Sequence, residues 1–147
     1  MKAIVIYKAG DAQQLQLEER PIPTLKEGWT LVKVKGFGIN RSEIFTRQGH
    51  SPSVIFPRIL GIECVGVVEA TTCPTLQKGQ TVVSLMGEMG RAFDGSYAEK
   101  ITQLFAYIDE HNVPVAPEKV FALEEIVAAH QYVESSAGYG KVVVRIN

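Results

Sequence analysis

Apolar residues cluster or alternate at the period-two spacing of β-strands in six stretches of the first hundred residues: 2–8, 15–19, 30–35, 62–69, 81–85 and 96–101. In Leu31-Val-Lys-Val-Lys35 the alternation of apolar and basic side chains is that of a strand with one buried face. Turn chemistry separates the stretches, at Pro21-Ile-Pro23, Glu27-Gly28, Cys73-Pro74, Lys78-Gly79 and Asp94-Gly95. One helix is predicted to start after Asn40 and stop at Gly49, with Asn40 as N-cap, Glu43 in the third helical position, and Ile44 and Phe45 as its apolar face. Beyond Gln103 the period lengthens. Leu104, Phe105 and Ile108 mark one helical pattern, and Leu123, Ile126, Val127, His130 and Val133 mark a second. Residues 141–146 then read as a closing strand. The sum is a mainly β chain with helices, an α+β fold whose first part has the pattern of a β-barrel-like domain.

Composition narrows the class. At 147 residues, 46% hydrophobic and 21% charged, the chain can close one core. A net charge of -1, with no block of like charges, argues against nucleic acid or an anionic membrane as partner. The apolar run after Lys2 is ended by Lys8, Gly10 and Asp11 before it reaches signal-peptide length, and no stretch approaches the about 20 residues of a membrane span. Cys64 and Cys73 make no disulfide framework. The expected location is cytoplasmic.

The densest local signal is Phe56-Pro-Arg-Ile-Leu-Gly-Ile-Glu-Cys-Val-Gly-Val-Val-Glu69. Pro57 sets an extended entry, Gly61 permits a close backbone approach, and Cys64-Val-Gly-Val-Val68 is a buried β run bent at its glycine. The stretch resembles the zinc-independent branch of the medium-chain dehydrogenase/reductase family, the quinone oxidoreductase-like enzymes. Their zinc-binding cousins carry Gly-His-Glu where this chain has Gly61-Ile62-Glu63, and the histidine is a catalytic zinc ligand. An alkane cannot replace it. A second ligand of those cousins, a cysteine, corresponds to Asn40 at the end of Val34-Lys-Gly-Phe-Gly-Ile-Asn40. Two cysteines are also too few and wrongly spaced for a structural zinc. No metal site is expected.

The resemblance runs in two pieces, 1–101 and 103–147. In the family, the part similar to Gly95-Ser-Tyr-Ala-Glu99 is followed by a whole nucleotide-binding domain. The parts similar to Val120-Phe-Ala-Leu-Glu-Glu-Ile-Val-Ala-Ala-His130 and Gly140-Lys-Val-Val-Val144 come only after it. A dinucleotide fingerprint requires G-x-G-x-x-G between a strand and a helix. Gly36 and Gly38 are followed by Arg41 where the third glycine belongs, and Gly138 and Gly140 by Val143. The expectation is a single GroES-like catalytic domain built from both segments, with the cofactor domain missing between them.

The resemblance implies an oxidoreductase that passes hydride from NADPH to a quinone or α,β-unsaturated carbonyl, the chain alone being inactive. Asn40 is the implied catalytic residue, facing the nicotinamide and the acceptor carbonyl. Phe45, standing where many relatives carry tyrosine, Ile62, Met86 and Phe93 are the implied substrate pocket. Met86, Met89 and Phe93 read either as a mobile apolar cover or as a loop packed on the barrel. Arg47, in an Arg-x-Gly match, is either a surface or interdomain charge or, with Asn40, a cofactor contact. Glu43 reads as a capping box and solvated ion pair, Glu63 as bonded to backbone or paired with an arginine such as Arg58, and His130 as a packed, hydrogen-bonded histidine. His50 and His111 have no recognisable catalytic partners. Apolar surface left by the missing domain makes a homo-oligomer possible. Two alternatives stand beside this reading: a standalone GroES-like binding module, and a zinc-dependent alcohol dehydrogenase domain, which Asn40 and Ile62 disfavour.

Overall fold

A computed structural model describes residues 1–103, 117–138 and 140–146. The helical pattern expected at Leu104, Phe105 and Ile108, and His111 after it, lie outside the described residues.

The strand β3 (Thr30–Gly38) organises the architecture, after β1 (Lys2–Ile6) and β2 (Gln16–Glu19). Its buried positions include Leu31, Val32, Val34 and Phe37. Helix α1 (Arg41–Arg47), β4 (Arg58–Ile59), β5 (Glu63–Thr71), β6 (Thr81–Leu85) and β7 (Lys100–Gln103) follow. The chain ends with β8 (Lys119–Ala122), a 3-10 turn at Leu123–Glu125, α2 (Ile126–Glu134) and β9 (Val142–Arg145). Along one edge β3 pairs antiparallel with β5, from Thr30 opposite Thr71 to Gly36 opposite Val65. Its other edge is shared: β7 pairs with residues 30–33 and β9 with residues 36–38. Two register shifts in the β3–β5 ladder mark where the strand bends.

The larger sheet thus runs β6-β5-β3-β9-β8, with β7 also on β3, and the smaller runs β2-β1-β4. Ala3 bridges to Ala98, and the Ile4 N–H donates to the Tyr97 carbonyl at 2.8 Å, tying the sheets together. Among the described residues these are two open sheets rather than the closed barrel that the strand pattern evokes. One core spans early and late segments, with Ile4, Val34 and Phe37 in the same cluster as Phe121, Ile126 and Val144. Phe37 and Tyr97 stack at 4.5 Å within it.

Several predicted boundaries move. The first strand stops at Ile6, and β3 runs on to Gly38. Of the strand expected at 96–101, only Lys100–Gln103 is regular; Tyr97 instead donates its N–H to the Leu60 carbonyl at 3.0 Å. The second helical pattern opens as a 3-10 turn before α2. Strands β4 and β8, two and four residues long, went unseen because so short a run carries no period.

Candidate functional site

Asn40 follows β3 in extended conformation (φ -116°, ψ 154°) and occupies the N-cap position of α1. Its side chain makes no cap hydrogen bond. The cap is made from the other direction, by Glu43, whose Oε2 accepts the Asn40 N–H at 2.5 Å. Glu43 Oε1 accepts the Ile62 N–H at 2.9 Å. One carboxylate thus clamps together the two positions that carry metal ligands in the zinc-binding cousins. The expected solvated ion pair at Glu43 is therefore corrected: the residue is only 2% exposed. Burial raises its pKa from 4.5 to about 7, against the two backbone N–H donors, which favour the charged form.

Beneath this clamp lies a buried polar cluster. Tyr97 and His130 are fully buried, with the Tyr97 hydroxyl 2.9 Å from His130 Nε2. Burial, then the charge of Arg47, pushes the His130 pKa down to about 3, so the ring is neutral. Burial and the Glu43 charge hold the Tyr97 phenol well above its usual range. His130 is the packed, hydrogen-bonded histidine anticipated.

Arg47 departs from its predicted place. It is 0% exposed, donates to the Gly10 carbonyl at 2.6 Å, and is ion-paired with Glu134 at the end of α2. It is neither a surface charge nor, in this conformation, presented to a phosphate. A long cation at the end of a seven-residue helix looks solvent-facing in sequence; only the packing of α2 against α1 turns it inward.

The Asn40 side chain points elsewhere. The Ile39 N–H donates to the Val142 carbonyl at 3.2 Å, extending the β3–β9 ladder and bringing Lys141 to Asn40 from 101 residues away. Lys141 Nζ donates to Asn40 Oδ1 at 2.8 Å and forms an ion pair with Glu63. Because an ammonium only donates, the atom facing it is the amide oxygen, which leaves Asn40 Nδ2 toward Glu63 Oε1 at 3.4 Å. Glu63 does not pair with Arg58 as proposed from sequence; Arg58 instead meets Asp94 at 3.2 Å. Lys141 was read only as part of the Gly140-Lys-Val-Val-Val144 match, since nothing near it in the chain gives it a role.

A cleft of about 390 Å³ opens beside this group, lined by Ile39, Asn40, Arg41, Val133, Lys141 and Val142 among others. The residues expected to form a pocket with Asn40 do not line it. Phe45 is 55% exposed and edge-on to His50. Ile62 is half-buried, its carbonyl accepting the Met86 N–H at 2.6 Å. Met86, at φ 60°, is 60% exposed. Met89 is fully buried, and Phe93 packs edge-on to Trp29 at 5.2 Å, so these two belong to the core side of their loop rather than to a cover.

As a zinc site the arrangement does not fit. An amide and an alkane stand at two donor positions, and of the two carboxylates beside them Glu43 is taken up by the Asn40 and Ile62 N–H groups while Glu63 is paired with Lys141. Among the described residues no three His, Cys, Asp or Glu side chains converge to hold a metal ion. Both cysteines are free thiols, Cys64 buried and Cys73 half-exposed.

Residues 54–144 match the zinc-binding dehydrogenase family. The chain belongs to that family. A family relative, the quinone oxidoreductase of Sus scrofa, is 28% identical over 82% of this chain and 35% of its own length. The starvation-sensing protein RspB of Escherichia coli (strain K12) is 43% identical over 48% of this chain and 20% of its own. The chain therefore spans between a fifth and about a third of these curated relatives. Among solved structures, a quinone oxidoreductase from Coxiella burnetii aligns with TM-score 0.83 at 12% identity, over 100% of this chain and 99% of that one. The Escherichia coli quinone oxidoreductase complexed with NADPH aligns with TM-score 0.62 at 24% identity, over 71% of this chain and 31% of that one. Those two likenesses are of fold. No helix among the described residues is long and apolar enough to cross a membrane.

Proposed function

We propose that this chain is the acceptor-binding, GroES-like catalytic domain of a zinc-independent quinone or enone oxidoreductase, cytoplasmic and NADPH-dependent, whose nucleotide-binding domain is not among these 147 residues. The observation that carries the reading is the clamp by which Glu43 holds Asn40 and Ile62 side by side, two positions without a metal donor, next to a cleft. A cleft of about 390 Å³ lies within the size range of small-molecule sites.

The residues fit one end of the cofactor. Asn40 would face the nicotinamide, while the Arg47 guanidinium is spent on Gly10 and Glu134 and no three-glycine fingerprint is present. When bound, NADPH supplies the hydride. This chain binds and orients the acceptor: with Oδ1 held by Lys141, Asn40 keeps an amide N–H to donate to the acceptor carbonyl. Ile39, Val133 and Val142 supply the apolar part of a cleft lining that is otherwise polar.

The experiment has three readings. The purified chain, mixed with NADPH and a small quinone and followed by NADPH absorbance, is expected to show no turnover above background. The quinone alone is expected to shift the Asn40 side-chain amide resonance in a saturable way. Turnover, failure to bind, or stoichiometric zinc by metal analysis each overturns the corresponding part. The alternative is a standalone GroES-like binding module without enzyme activity. A coding sequence with a glycine fingerprint inserted between the two segments would exclude it.

A further inference from the structure

We propose that Lys141 is the oxyanion-holding group of the acceptor cleft, the donor that takes the oxygen of a quinone or enone as negative charge develops on it. The idea rests on the acceptor-cleft reading above. An ammonium carries three N–H donors and accepts nothing. Among the described residues, one goes to Asn40 Oδ1 at 2.8 Å and one to Glu63, which leaves one for a ligand. The Lys141 side chain is 35% exposed and lines the cleft together with Asn40 and Arg41. Glu63, 21% exposed, is not part of that lining and braces the lysine from outside it.

The seat is built into the fold. A Cβ on Gly38 would lie 2.0 Å from Glu63 Oε1 and 2.4 Å from Lys141 Cε, so β3 gives up a side chain where the pair sits. Gly38 ends β3, Glu63 begins β5, and Lys141 immediately precedes β9. Three segments distant in sequence thus deliver one cation to one cleft.

The chemistry needs such a group. Hydride that NADPH would supply to an acceptor carbon, itself becoming NADP⁺, would leave the π pair on oxygen as an enolate, which for a quinone then tautomerises to the hydroquinone. The remaining N–H of Lys141 holds that oxygen, which water then protonates, and the lysine keeps its own proton. A charge-assisted hydrogen bond is about twice as strong as a neutral one, so the interaction grows as the charge does.

The probe is 4-nitrophenol, whose phenolate is an aryl oxyanion visible by absorbance. It is titrated against the 147-residue chain and the Lys141→Met, Lys141→Arg and Glu63→Gln variants, with binding located by the Asn40 side-chain amide resonance. The bound probe's pKa is expected to fall by about one unit or more against the free probe. The fall should vanish in Lys141→Met, persist in Lys141→Arg and deepen in Glu63→Gln, which unmasks the lysine. Equal falls in the wild type and Lys141→Met overturn the proposal and leave the cleft reading standing. Absence of saturable binding to the wild type overturns both. Should urea unfolding show that Lys141→Met does not fold, an unchanged fall in Glu63→Gln overturns the proposal by itself.

Discussion

Replacing Glu43 by glutamine tests the clamp that joins Asn40 to Ile62. In the native protein the carboxyl is 2% exposed and accepts two backbone N–H groups, yet burial outweighs them and lifts its pKa from 4.5 to about 7. A carboxyl whose folded pKa is raised stabilises the fold fully below 4.5 and loses that contribution as pH rises through about 7. The interval from 4.5 to about 7 corresponds to roughly 3 kcal/mol lost between pH 4.5 and pH 8. Glutamine has no such dependence, but its NH₂ faces an N–H donor where a carboxylate oxygen accepted, at a cost of about 1–3 kcal/mol. The variant is therefore expected to be less stable than the wild type near pH 5 and to match or exceed it near pH 8. Urea unfolding of both proteins at several pH values measures this, and titrating groups common to both largely cancel in the difference. Parallel stability curves across that range would refute the assignment of a buried, pH-sensitive carboxyl at this position.

Other perturbations have defined outcomes. Because burial depresses the His130 pKa to about 3, its contribution is present above 6.5 and lost as pH falls toward 3, by roughly 3 kcal/mol at pH 4.5; His130→Gln should flatten the acid limb of the stability curve, and an unaltered limb would contradict the neutral buried ring. Arg47→Met removes a fully buried cation from Gly10 and Glu134 and should cost roughly 3 kcal/mol in urea unfolding; a loss under about 1 kcal/mol would show that the guanidinium is no strut. Gly38→Ala should displace the Lys141–Glu63 pair while costing only about 1 kcal/mol, because the colliding atoms are ends of flexible, part-exposed side chains. Its readout is the Asn40 side-chain amide resonance, which should move; an unmoved resonance means the pair does not orient the amide.

What could be read from the chain itself was whatever depends on neighbours in sequence. The alternation in β3, the turn dipeptides, Asn40 at the start of α1 and the helical spacing from Leu123 to Val133 are local patterns, and the helix and most strands appear where those patterns lie. The loss of donors at Asn40 and Ile62 was legible too, because it is a matter of residue type at motif positions. Solvation was not legible. Glu43 and Arg47 are charged residues on a short helix and read as solvent-facing, yet they are 2% and 0% exposed, because Gly61-Ile62, Gly10 and α2 close over them. The role of Lys141 was hidden for the complementary reason: it comes from the β3–β9 ladder, which places the residue across from Asn40, and from the missing side chain at Gly38. The motif at Gly61-Ile62-Glu63 determined by itself that the site lacks a histidine ligand. Only the tertiary structure decided what stands there instead, since a hydrogen-bonded cluster drawn from the ends of three strands depends on sheet register and on the exclusion of water.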